Sequence, residues 1–243
     1  MSYSELTQIL RENDNIVFFG GAGVSTESNI PDFRSENGLY NAQTKYGVSP
    51  ETIISHTYFV NNTEKFYSYY KENLIFKDAK PNKAHIALAK LEEMGKLKAI
   101  VTQNIDGLHQ LAGSKSVYEV HGSVLRNYCT KCGSFYGVDT ILESKGIPKC
   151  EKCSGLIKPD VVLYEEGLDD EVWSGAYKAV ASAQVLIVGG TSLVVYPAAG
   201  LVNVFKGKKL VLINKSNTSF DNMADLVIHD SIGKVLSEAV EAL

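Results

Sequence analysis

Residues 101–122, VTQNIDGLHQLAGSKSVYEVHG, gather side chains that can hold hydroxyl groups and move protons. Asn104 can orient a ribose hydroxyl or a water, and Asp106 can accept from an amide or hydroxyl. A neutral His121 can take a proton at about pH 7. The other histidines, His56, His85, His109 and His229, read more simply as packing or surface residues. His109, in an expected helix just after Asp106, is the strongest rival to His121 as a base. No GxSxG elbow and no HExxH pair occurs, so hydrolases of those types are unsupported.

A second constellation is Cys129-Thr130-Lys131-Cys132 and Cys150-Glu151-Lys152-Cys153, with 17 residues between the pairs. Each CxxC bends two thiolates toward one point, and two such knuckles complete a tetrahedral site. Zinc fits this set best, and an iron–sulfur centre uses the same ligand type. A redox dithiol would not explain the duplication. Four sulfurs leave no position for water, so the metal is expected to be structural. It would fold a segment too poor in apolar residues to hold itself.

These residues need elements to hold them. Ile16-Val17-Phe18-Phe19 is a short apolar run stopped by Gly20-Gly21-Ala22-Gly23, as in a buried parallel strand feeding a tight turn. Glycines there allow close approach to a pyrophosphate, although the third glycine of GxGxxG is replaced by Thr26. A tight turn without a ligand reads equally well from that fragment alone. Ile30-Pro31-Asp32-Phe33-Arg34 adds a stiff loop with an aromatic ring and a guanidinium, a set that can cover a dinucleotide or simply pack on the surface.

Ala99-Ile100-Val101, Val117–Val120, Val185–Val188, Leu210–Ile213 and Leu226–Ile228 supply further short strands. Helical spacing over 84–94, 170–183 and 232–242 separates them. That rhythm predicts an α/β fold with a mostly parallel, helix-covered sheet. Val188 runs into Gly189-Gly190-Thr191-Ser192, repeating the strand-to-glycine pattern of the N-terminal strand. Polar groups gathered at strand ends are how such sheets build active sites. Two stretches break the rhythm: the aromatic-rich, irregular 35–75 and the cysteine-bearing 123–163. The expected division is a Rossmann-like domain of 1–34, 76–122 and 164–243, with 35–75 and 123–163 as an inserted small helical and zinc-binding domain.

The chain has 243 residues and a net charge of −4, enough for one large core plus a satellite. No basic block suggests direct nucleic-acid binding, and no apolar run is long enough to cross a bilayer. MSYSELTQILRENDN reads as a capped amphipathic helix rather than a signal peptide. A cytoplasmic location is therefore expected, with paired cysteines holding metal rather than disulfides.

The ordered set of GAGVSTESNIPDFR, TQNID, His121-Gly122 and the two CxxC pairs resembles the sirtuins, NAD-dependent protein-lysine deacylases. The resemblance spans nearly the whole chain. It implies that Gly21, Ala22, Thr26, Phe33 and Arg34 contact NAD, with Phe33 shielding the nicotinamide. Gln103 and Asn104 would address the ribose, and Ile105 and Asp106 the carboxamide. Asn104 and His121 would be catalytic, His121 as general base. Gly190, Thr191, Ser192 and Asn214 would meet phosphate and adenosine ribose, and Ile232 would offer a backbone contact to adenine. One structural zinc on Cys129, Cys132, Cys150 and Cys153 is implied as well.

By the same likeness, Lys158–Glu166 resembles the strand that binds an acetyl-lysine peptide in extended form, with Leu193–Tyr196 opposite. Val162 and Tyr164 are candidates for the acyl-lysine tunnel. Glu165 stands where the family form Phe-Gly-Glu has glycine, which bears on the peptides accepted. Tyr70 stands where members preferring acidic acyl groups carry the arginine of Tyr-x-x-Arg, starting here at Tyr67; neutral acyl groups are expected. The implied reaction is a transferase reaction giving nicotinamide, free lysine and 2′-O-acetyl-ADP-ribose. Mono-ADP-ribosyl transfer and a noncatalytic NAD-sensing module are the alternatives. Terminal extensions are short, so regulatory tails are not expected.

Overall fold

The computed structural model describes residues 2–32 and 45–243. Its larger sheet holds six strands, in the order β3-β2-β1-β7-β8-β9. These are β1 (Ile16–Gly20), β2 (Leu97–Thr102), β3 (Val117–Glu119), β7 (Val185–Gly189), β8 (Lys209–Ile213) and β9 (Leu226–Ile228). Every neighbouring pair is parallel. A second sheet, β5-β4-β6, is antiparallel and built from β4 (Gly122–Cys129), β5 (Phe135–Gly137) and β6 (Ile157–Val161).

The apolar runs become strands buried on both faces. Ile16 and Phe18 pack with the helices Ser2–Glu12, Lys83–Glu93 and Ile232–Glu241. Val17 and Phe19 face the opposite core, under the helix Asp170–Ser182 and the turns Ala198–Val204. Full burial of one such phenylalanine contributes about 1.5–3 kcal/mol. In β2, Ile16 pairs with Leu97 but Val17 pairs with Ala99, so Lys98 is an extra residue. That slip puts Leu97 and Ile100 on one face and Ala99 and Val101 on the other.

A third core joins the two stretches that broke the α/β rhythm. Phe59, Phe66, Tyr67 and Tyr70 pack against Val124, Cys129, Ile141, Cys150 and Ile157. The stretch expected to be irregular is helical at Pro50–Ile53, His56–Asn61 and Thr63–Asn73. Ser49 and Ser55 cap the first two by accepting from Thr52 and Tyr58 backbone amides. The helical character matches the small helical domain expected there, while the individual helices were not delimited by periodicity because their aromatic side chains serve more than one core.

Because all strands of the larger sheet are parallel, their carboxyl ends lie along one edge. The chain leaves β1 toward β2 on one side and reaches β7 on the other, so β1 and β7 form the topological switch point.

Candidate active site

Each strand end presents a different group to that edge. Gly21–Val24 follows β1, Gln103–Asp106 follows β2, His121 follows β3, Gly190–Ser192 follows β7 and Asn214 follows β8. The two glycine turns interlock. Gly23 N–H donates to the Gly190 carbonyl at 2.8 Å, and a Cβ on Gly23 would lie 2.7 Å from Gly190 Cα. Gly190 itself has φ +61, a conformation that favours glycine. These glycines therefore bring two backbones together, a use the sequence did not disclose. Asn82, the cap of helix Lys83–Glu93, fixes the same loop from below by donating to Val24 O at 2.7 Å and Ser28 Oγ at 2.9 Å.

Ser25 is the hub of the polar cluster and is a residue the sequence analysis passed over. Its hydroxyl donates to Asp106 Oδ2 at 2.6 Å and accepts from Asn104 Nδ2 at 3.0 Å. The other Asp106 oxygen accepts from Leu108 N at 2.9 Å. Gln103 N donates to the Gly20 carbonyl at 3.0 Å, and its side chain donates to Thr191 Oγ1 at 3.2 Å. Thr191 and Asn214 exchange two bonds, 3.1 Å and 2.6 Å long. A lone serine after a glycine turn carries no spacing signal that would have identified this role.

His121 Nδ1 lies 3.1 Å from the Gln103 carbonyl oxygen. A carbonyl only accepts, so the proton sits on Nδ1 and Nε2 is left with a free lone pair. Burial lowers the His121 pKa below its ordinary value, and the Gln103 carbonyl opposes this by favouring the charged ring. The neutral, proton-accepting form is therefore the main one at neutral pH.

The expected residues Gly21, Ala22, Thr26, Gln103, Asn104, Ile105, Asp106, His121, Gly190, Thr191, Ser192, Asn214 and Ile232 line one cleft of about 690 Å³. That volume is in the range of small-molecule sites. His121 is the one histidine on its wall among the described residues. His109, its rival, is 1% exposed and packs its ring against His85 and Phe18, away from the cleft. Burial, then the neighbouring His85, pushes its pKa down to about 3, so it serves as a neutral core residue. Phe33 and Arg34 lie outside the described residues.

Val162, Tyr164, Val195 and Tyr196 line the same cleft. Val162 N donates to the His121 carbonyl at 3.0 Å, tying the segment after β6 to His121. Glu165 has φ +76, which explains a glycine preference there. Its carboxylate accepts from Thr57 N at 2.8 Å and Thr57 Oγ1 at 2.7 Å, and these bonds hold it below the usual carboxylate range. Tyr67 and Tyr70 are 1% and 0% exposed in the smaller core and do not line the cleft. The acyl preference expected from them thus lacks a direct contact. The likeness to the Tyr-x-x-Arg pair placed these tyrosines by sequence position and carried no information on burial.

The four cysteine sulfurs lie within 4.8 Å of one another. Cys129 and Cys153 sulfurs are 3.5 Å apart and those of Cys132 and Cys150 are 3.6 Å apart. A zinc ion bonded to four thiolates at about 2.3 Å requires sulfurs about 3.8 Å apart. The cluster fits one structural zinc, and none of its four cysteines lines the cleft.

A family model described as the Sir2 family matches residues 21–197. A Clostridium acetobutylicum protein named NAD-dependent protein deacetylase is 65% identical over 238 residues, covering 98% of this chain and 97% of that one. A solved Sir2 variant with a deacetylated p53 peptide and 3′-O-acetyl ADP-ribose is 41% identical, with a TM-score of 0.90 over 100% of this chain and 98% of that one. The crystal structure of a Sir2 homologue–NAD complex is 38% identical, with a TM-score of 0.90 over 98% of this chain and 93% of that one.

Proposed function

The chain belongs to the Sir2 family, and we propose from its cleft how it acts as an NAD-dependent protein deacetylase. NAD supplies a ribose carbon activated by its nicotinamide leaving group, and the substrate's acetyl oxygen is the nucleophile. Gly21, Ala22 and Thr26 after β1, with Phe33 and Arg34 by family likeness, hold and cover the dinucleotide. Gly190, Thr191, Ser192 and Asn214 meet its phosphates and adenosine ribose, and Ile232 its adenine. Gln103 and Asn104 orient the nicotinamide ribose, while Ile105 and Asp106 receive the carboxamide.

The acetyl oxygen would take the ribose carbon that nicotinamide leaves. His121 Nε2 would then take a proton from a ribose hydroxyl so that this oxygen can attack the acyl carbon. The lysine amine would leave with a proton, and water would add to release the acetyl ester. The observation that carries this reading is the Nδ1 bond to the Gln103 carbonyl, which leaves Nε2 as the free base. The expected first ester is on the 2′ oxygen. The 3′ ester of the solved relative differs in which of two vicinal hydroxyls carries the acyl group.

An acetyl-lysine peptide would bind as an extended strand between Val162–Tyr164 and Leu193–Tyr196, using main-chain hydrogen bonds. Val194 and Tyr196 are 58% and 66% exposed, apolar surface that such a peptide would cover. The proposed division is a dinucleotide-binding lobe of 1–34, 76–122 and 164–243 and a smaller lobe of 35–75 and 123–163, supported by their separate cores. No helix is long and apolar enough to cross a membrane among the described residues. Four zinc-binding thiolates suit a reducing, cytoplasmic setting.

Mass spectrometry of products from NAD and an acetyl-lysine peptide tests the reaction. Nicotinamide, free lysine and O-acetyl-ADP-ribose are expected. An ADP-ribosylated acceptor would instead indicate mono-ADP-ribosyl transfer, and absence of turnover a binding module. His121→Ala should slow acetyl-ADP-ribose formation by ~10²–10⁴-fold. Nicotinamide exchange should survive better, because the base acts later; near-normal product formation would remove His121 from the mechanism.

A further inference from the structure

Glu119 ends β3 in the larger sheet and Gly122 begins β4 in the smaller one, so the chain crosses between sheets through Val120 and His121. The crossing is tight. Gly122 has φ +77, and a side chain there would collide with the Asp160 carbonyl. Val120 N donates to the Thr102 carbonyl at 3.0 Å, anchoring the first crossing residue to β2.

Beyond the crossing, β4 departs from regular pairing. Ser123 pairs with Asp160, but the next matched pair is Asn127 with Pro159. Val124, Leu125 and Arg126 have no partner on β6 in that register. Bulges of this kind re-aim side chains beside functional sites. Here Arg126 Nη1 donates to Glu119 at 2.6 Å, and its Nε donates to Asp160 at 2.7 Å. One guanidinium therefore ties the residue before the crossing to the strand that flanks it afterwards. The Glu119 side chain is 8% exposed, so removing that partner would leave a buried carboxylate unpaired.

We infer that Arg126 is a positioning residue: by bridging Glu119 and Asp160 it holds the crossing that carries His121, and thereby aims the base at its proton. The inference rests on His121 being the base. Arg126 does not line the cleft and acts through the crossing. Its planar fork is required, because a lysine ammonium cannot present two fixed N–H bonds to two carboxylates in the same way.

A loosened crossing lengthens the His121–Gln103 bond and admits water to the ring. The described ionisable groups sharing its cleft are Glu27, Asp32, Asp106, Tyr164, Glu165, Glu166, Tyr196, Lys215 and Asp230, and all of them remain in an Arg126 variant. Weakening the Gln103 bond alone would lower the pKa of the base, but burial is the larger influence on it, so hydration outweighs that loss and moves the base toward its ordinary, higher pKa.

The test compares Arg126→Met and Arg126→Lys with the parent enzyme, measuring kcat, KM for NAD and the pH dependence of kcat/KM. Arg126→Met is expected to lower kcat about tenfold or more, with KM for NAD changed less than about twofold, as for loss of a group acting in the transition state. The ascending limb of its pH profile should move to higher pH, and Arg126→Lys should recover activity in part. If Arg126→Met does not fold, Glu119→Gln with Arg126→Met removes the stranded carboxylate and should show the same pH shift. A folded variant with parental kcat and pH profile overturns the inference. His121→Ala, run in parallel, keeps the failures apart. If it retains turnover, the base assignment is wrong. If it loses turnover while the Arg126 variants behave as the parent, the positioning role is wrong.

Discussion

The Ser25 hydroxyl donates to Asp106 at 2.6 Å while accepting from the Asn104 amide at 3.0 Å, which joins the turn after β1 to the loop after β2. Neither polar partner can be replaced by the other, because one accepts and one donates.

Ser25→Ala should therefore strand both groups at once. Loss of hydrogen bonds of this kind costs about 1–3 kcal/mol where the partner is left unsatisfied. NAD affinity and nicotinamide inhibition are both expected to weaken, and thermal stability to fall with them. Isothermal titration with NAD and nicotinamide inhibition curves read the two effects. Parental values for both would show that water replaces the hydroxyl at no cost.

Cys129→Ser should reduce zinc content from one ion per chain and destabilise the small lobe, because Cys129 belongs both to the metal cluster and to that lobe's core. Deacetylation falls as a secondary consequence. Elemental analysis with thermal denaturation checks this; parental stability after zinc removal would show that the metal is not structural.

Deacetylation should exceed desuccinylation on matched peptides. Lys215 is the one lysine on the cleft wall among the described residues, and it follows Asn214 at the nucleotide end. The segment proposed to bind substrate offers Val161, Val162 and Leu163 to the cleft, with no cation among them to receive a buried succinyl carboxylate. The ratio of kcat/KM for the two acyl groups in one peptide decides the matter, and a succinyl preference would place an undetected cation in the tunnel.

His109 should make the fold acid-sensitive. Its pKa falls from 6.5 when exposed to about 3 when buried beside His85. Above 6.5 both folded and unfolded chains hold it neutral, and its contribution to stability is complete. As pH drops from 6.5 toward 3, only the unfolded chain gains the proton, and stability falls by up to about 1.4 kcal/mol per pH unit. Urea denaturation at pH values across this window should show a smaller acid loss for His109→Leu than for the parent. Equal slopes would mean that the imidazole is protonated in the folded state.

The strands and the cleft they form were largely legible, because runs such as Ile16–Phe19 and Val185–Val188 are apolar throughout and end in glycine. A strand buried on both faces has few other ways to read. The cysteine cluster was legible because each CxxC is a local geometric unit. The roles of Ser25 and Arg126 were not, since each depends on partners brought close by sheet order or by a bulge. His109 and His121 differ little as sequence; one turns into a core and the other into a cleft.

Ile16 pairs with Val185 at the switch point, so the two halves of the cleft are made at widely separated times during translation. A growing chain can close the cysteine loop soon after Cys153 emerges, a short-range event. It can give β1 its second neighbour, and lock Gly23 against Gly190, only after Val185–Gly190 has left the ribosome. Long-range closure of this kind comes late in folding. Nascent chains stalled before Val185 are expected to hold zinc and fail to bind NAD, which metal analysis and NAD capture on stalled ribosomes would read. A dinucleotide site would then report that synthesis has passed Gly190, and a chain stopped before it is expected not to consume the coenzyme.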